Sequence, residues 1–93
     1  MYKIFETEKF IRSLEQDFGG QRATITKKLH QFVYPQLKKS PGYGPHIKKL
    51  RDWDPPAWRY RIGDYRFFYE IDSEKMIVFL LLAEHRGKAY KKR

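Results

Sequence analysis

The chain has 93 residues, with twenty Lys and Arg against eleven Asp and Glu and a net charge of +9. It has no cysteine, which excludes disulfide stapling, thiol catalysis and cysteine-ligated zinc. No apolar run approaches the roughly 18–20 residues of a membrane span, and the opening Met1-Tyr2-Lys3-Ile4-Phe5 does not resemble a secretory leader. The expectation is one basic cytoplasmic domain spanning 1–93, with no membrane association and a negatively charged partner.

Residues 2–6, Tyr-Lys-Ile-Phe-Glu, read as a first strand. Thr7 can cap a helix over 8–18 that carries Phe10, Ile11, Leu14 and Phe18 on one stripe, and Gly19-Gly20 stops it. A second helix starts near Arg22 with Ile25, Leu29, Phe32 and Val33 on its apolar side, and Pro35 should end or kink it near Tyr34. Four of the five prolines fall in a long connection over 38–57, whose one ordered piece is expected at Ile47-Lys48-Lys49-Leu50.

The remainder is rich in strands. Trp58–Ile62 and Tyr65–Ile71 alternate around Gly63-Asp64, a two-residue hairpin signal. A turn centred on Ser73-Glu74 leads into the run 76–83, apolar on both faces and expected as a central strand covered above and below. The order β-α-α-β-β-β defines an α+β domain: a helical hairpin packed on a small, mostly antiparallel, twisted sheet.

A two-residue loop fixes register, so Ile62 should face Tyr65, Arg61 face Arg66, Tyr60 face Phe67 and Arg59 face Phe68. One hairpin face is then core, from Trp58 through Ile71, and the other gathers Arg59, Arg61 and Arg66. Two arginines directly opposite each other cost some fraction of ~1 kcal/mol. Guanidinium forks match phosphate oxygens and suit the charge that develops in phosphoryl transfer. The alternative is a solvated outer face partly neutralised by Glu70 or Asp64. Counting on through a Ser73-Glu74 turn places His85 on the arginine face, where it would suit proton transfer near neutral pH. A slip of one residue would turn it to the other side.

Arg59-x-Arg61-Ile62-Gly63-Asp64-Tyr65-Arg66-x-x-Tyr69-x-Ile71, an apolar strand, and then His85-Arg86-x-x-x-Tyr90 resembles the RelE/ParE toxin superfamily. Ile47-Lys48-Lys49-Leu50 matches that family's usual lead-in, and the element order agrees over nearly the whole chain. The resemblance implies a toxin of a type II toxin–antitoxin system with a cognate acidic antitoxin. In the RelE branch it implies a metal-independent endoribonuclease, without cofactor, that acts on messenger RNA in the ribosome and stops translation. There the ribose 2′-hydroxyl attacks the adjacent phosphate and leaves a 2′,3′-cyclic phosphate.

By motif position, Arg59 and Arg61 fall where RelE-type members often have lysines, Arg66 and Arg86 on phosphate-contacting arginines, and Tyr90 on a tail tyrosine that stacks on a base or assists proton transfer. Arginine does not give up its proton in proteins, so His85, or else Tyr90 or Glu70, must take the base role. The spacing from Arg86 to Tyr90 is also shorter than in some RelE members.

Residues 21–51 carry +8 and residues 85–93 carry +5, flanking a stretch over 52–84 of −3. Lys27, Lys28, Lys38, Lys39, Lys48, Lys49, Lys88, Lys91, Lys92 and Arg93 would dock on ribosomal RNA phosphates or attract the acidic antitoxin. Two other readings share the fold or the charge: a ParE-like toxin that inhibits DNA gyrase, and a non-catalytic RNA- or ribosome-binding homologue. His30, His46 and His85 lack metal-ligand spacing, Asp52 and Asp54 read as turn formers, and Trp53 and Trp58 are expected to pack.

Overall fold

The computed structural model describes residues 1–85, with the backbone course alone at 17–19. Strand β1 (Lys3–Glu6) leads into helix α1 (Glu8–Phe18) through Thr7. The Thr7 hydroxyl accepts from the Phe10 N–H at 3.2 Å and donates to the Leu80 carbonyl at 2.6 Å. One side chain thus caps the helix, as its sequence position predicts, and ties that helix end to the sheet.

The second helical segment departs from expectation. It runs as α2 (Arg22–Lys28), a π turn over Leu29–Val33, and α3 (Tyr34–Lys39). Pro35 neither ends nor breaks it. The ring of Pro35 would collide with the carbonyl four residues back, at Gln31, in a regular α-helix. The wide turn makes room, with the Tyr34 N–H bonded to the Leu29 carbonyl, and Pro35 falls in the first turn of α3. The same turn shifts the helical phase: Phe32 is 52% exposed, while Tyr34 and Leu37 enter the core. Ile11, placed on the α1 stripe by its spacing, is also exposed.

Four strands follow: β2 (Ile47–Leu50), β3 (Ala57–Ile62), β4 (Tyr65–Asp72) and β5 (Ile77–His85). The sheet order is β1-β5-β4-β3-β2, with β1 parallel to β5 and every other pair antiparallel. The expected β-α-α-β-β-β order stands, and residues 47–50 add an edge strand. The helices cover one face. Phe10, Leu14, Ile25, Leu29, Val33 and Leu37 meet Tyr60, Phe67, Tyr69, Val78, Leu80 and Ala83 there, each large apolar side chain worth roughly 1.5–3 kcal/mol of burial.

Strand β5 is not covered on both sides. Its helix-facing Val78, Leu80 and Ala83 are fully buried, whereas Ile77, Phe79, Leu81 and Leu82 remain half-buried. The centre of the sheet is β4 rather than β5.

Candidate functional site

The Gly63-Asp64 loop makes the hairpin as read from sequence: Ile62 pairs with Tyr65, Arg61 with Arg66, Tyr60 with Phe67 and Arg59 with Phe68. Gly63 has φ +58 while Asp64 stays out of the left-handed region, the pattern of a II′ turn with glycine first. Tyr60, Phe67 and Tyr69 are buried under the helices. Arg59, Arg61 and Arg66 therefore share the open face. Lys48 of β2 pairs with Arg59 and joins them.

Across that face two cross-strand rows lie side by side. One runs Lys48, Arg59, Phe68, Leu82, and the next runs Arg61, Arg66, Glu84. Glu84 neutralises Arg66 at 3.4 Å, the role expected of Glu70 or Asp64. Four cations thus face one carboxylate in these two rows. The Nε atoms of Arg59 and Arg66 are buried and have no hydrogen-bond partner among the described residues. Those Nε atoms are shielded from solvent, so contact with an acceptor such as a phosphodiester oxygen would fall to the terminal nitrogens of the guanidinium forks.

His85 does not join them. The turn after β4 spans four residues, Ser73 to Met76, with Met76 at φ +59 and the Lys75 N–H bonded to the Asp72 carboxylate at 3.0 Å. Ile71 consequently pairs with Val78 rather than Met76. A β-bulge opposite Phe68/Tyr69 then shifts the register by one more residue, so Phe67 faces Ala83 and Tyr65 faces His85. His85 lies on the helix-covered side, its ring edge-to-face with Tyr65 at 5.0 Å, and the Tyr65 hydroxyl donates to Gln21 at 2.9 Å. The bulge that turns His85 away brings Glu84 to the arginines.

Trp53 packs as the sequence suggests, but on this open face and with one side left to solvent. Trp53, in the β2–β3 connection, lies flat on Phe68, ring planes 12° apart and centroids 5.6 Å apart, yet remains 44% exposed. Trp58 packs as expected, on Tyr69, with Lys49 over its ring at 5.4 Å.

The lysines expected to dock on RNA divide between the layers. Lys48 stands with the arginines, Lys49 on the opposite side of the sheet, and Lys27, Lys28, Lys38 and Lys39 on the helices. Arg86, Lys88, Tyr90, Lys91, Lys92 and Arg93 lie outside the described residues. Among the described residues no three His, Cys, Asp or Glu side chains converge to hold a metal ion, and no helix is long and apolar enough to cross a membrane.

The family model of the ParE toxin of the type II toxin–antitoxin system, parDE, matches residues 6–90. The chain belongs to the RelE/ParE toxin superfamily. Solved structures of RelE toxins share its fold. The Mycobacterium tuberculosis toxin–antitoxin complex RelBE2 has a chain with TM-score 0.69 and 24% identity, covering 91% of this chain and 98% of that one. The isolated Escherichia coli RelE toxin gives TM-score 0.63 and 21% identity over 99% of this chain and 98% of that one. The archaeal RelE–RelB complex of Pyrococcus horikoshii gives 0.63 and 18% over 94% and 97%. None of the curated proteins matches the sequence. On the open sheet face of this toxin Lys48 is the one lysine in the two rows, the other cations being arginines.

Proposed function

We propose that this toxin is a ribosome-dependent endoribonuclease that cuts messenger RNA and so inhibits translation. The observation that carries the reading is the open face itself: Arg59, Arg61 and Arg66 beside Lys48 on one side of the sheet. Cross-strand side chains start about 5 Å apart, so several guanidiniums can reach the oxygens of one phosphodiester. In the proposed reaction the 2′-hydroxyl loses its proton and attacks phosphorus. The 5′-oxygen of the next nucleotide leaves with a proton, and the 2′,3′-cyclic phosphate remains. The arginines stabilise charge building on the phosphoryl oxygens without metal or cofactor.

Glu84 is the carboxylate placed in the arginine rows and takes the proton-accepting role first assigned to His85. Arg86 and Tyr90 follow directly in sequence and complete the proposed set. The helix-layer lysines would then hold ribosomal RNA. The reading places the toxin in the cytoplasm.

The proposed physiological partner is an acidic antitoxin that folds on binding, as the RelB complexes of related toxins suggest. An open groove of about 860 Å³ runs beside the edge strand β1, and its lining includes Tyr2, Ile4, Phe5 and Tyr34 together with Lys3, Lys38 and the carboxylate of Glu6. Apolar side chains beside two lysines, with the Glu6 carboxylate occupied by the Tyr34 hydroxyl, suit such a segment.

Gyrase inhibition is the second reading, favoured by the ParE family match and by the removal of His85 from the arginine face. Expression without antitoxin separates the two. Cleavage of transcripts within codons and arrest of protein synthesis are expected; intact transcripts with DNA breaks and an SOS response would select gyrase.

A further inference from the structure

Trp53 sits between Asp52 and Asp54, two exposed residues, in a connection that need not contain an aromatic to turn the chain. Its inner ring face covers Phe68, which is only 9% exposed. Its own exposure is 44%. Phe68 pairs directly with Arg59, and the next pair along the hairpin on that face is Arg61 with Arg66. A flat, half-solvated indole therefore lies over the residue that pairs with Arg59, at the border of the cationic rows.

We infer that Trp53 is a base-stacking shelf for single-stranded RNA: an unpaired base lies on the outer indole face while its adjoining phosphate rests on Arg59 and Arg61. This rests on the RNA-cleaving reading and extends it by naming a residue that selects the form of the substrate. The chemistry is that of single-strand recognition, aromatic faces for bases beside cations for the backbone. Bases within a duplex are already stacked and cannot lie on the indole. The carboxylates of Asp52 and Asp54 repel phosphate, which directs the backbone toward the arginines and leaves the base for the ring.

The test uses the full chain with Trp58→Phe, so that Trp53 is the one fluorescent indole, and two probes: an eight-nucleotide single-stranded RNA and a blunt-ended RNA duplex of two separate strands. Trp53 emission should be quenched by the single strand and not by the duplex. Trp53→Leu keeps an apolar cover over Phe68 but offers no ring. It should weaken single-strand binding about tenfold, with duplex affinity and the slope of log Kd against log salt unchanged. Trp53→Tyr should restore most of the loss. Unchanged single-strand affinity in Trp53→Leu, with affinity lost in Arg59→Ala, would overturn the shelf while leaving the RNA reading intact. Equal loss for both probes would assign Trp53 to packing alone and overturn it too. Failure of the parent protein to bind either RNA would overturn the shelf and leave ribosome-dependent cleavage to be decided by the transcript assay.

Discussion

Ser13 is buried, 5% exposed, and uses both sides of its hydroxyl. It donates to the Phe10 carbonyl at 2.7 Å within α1 and accepts from the Ala83 N–H at 2.9 Å in β5. The contact pins α1 to the strand whose end carries Glu84 and His85. Removing it strands a buried backbone donor, which costs about 1–3 kcal/mol. Ser13→Ala should therefore lower unfolding stability by that amount in urea titrations; a change below about 0.5 kcal/mol, the range of ordinary surface substitutions, would show that the contact matters little. Neither partner was legible in sequence. Ser13 reads as one polar residue in an amphipathic helix, and nothing local marks a hydroxyl that will meet a strand seventy residues away.

At the scale of elements, two turns hold the open face in register, and they differ in strain. Gly63 occupies a left-handed conformation that glycine adopts freely, whereas Met76 adopts a similar one against a steric cost of roughly 1–2 kcal/mol. The substitutions should act in opposite directions. Gly63→Ala is expected to destabilise the fold by about 1 kcal/mol, and Met76→Gly to stabilise it by about 0.5 kcal/mol, both read from thermal unfolding. The same sign for both would contradict the account. The Gly63-Asp64 hairpin was readable because a two-residue loop admits one register. The bulge farther along was not. It falls where β5 carries Leu80-Leu81-Leu82, so inserting an extra residue changes no visible pattern: a leucine replaces a leucine on either face. That slip reverses the faces of Glu84 and His85, which is why the arginines were foreseen together and their carboxylate was not. The π turn before Pro35 escaped for a related reason, since proline marks an obstacle without saying how the helix accommodates it.

The molecule as a whole divides its charge between two layers, lysines on the helices and mostly arginines on the open sheet, with a tyrosine-rich core between. The Tyr34 hydroxyl donates to Glu6, and the Tyr69 hydroxyl to the Pro41 carbonyl. Burial, reinforced at Tyr34 by the Glu6 carboxylate and at Tyr69 by Tyr60, pushes both phenols well above their ordinary range. The folded state keeps protons that the unfolded chain releases above about pH 10. Stability should thus be insensitive to these groups below about pH 10 and fall as pH rises beyond it. Tyr34→Phe should flatten that alkaline decline, measured by urea unfolding at successive pH values; an unaltered decline would place its origin elsewhere.

The central claim is that the open arginine face performs RNA cleavage. Purified toxin added to ribosomes with a messenger codon in an empty A site tests it directly. The account predicts cleavage within that codon by the wild type and a rate at least about a hundredfold lower in folded Arg59→Ala/Arg66→Ala. An uncut message with the wild type, or a doubly substituted protein cutting at the wild-type rate, would contradict it.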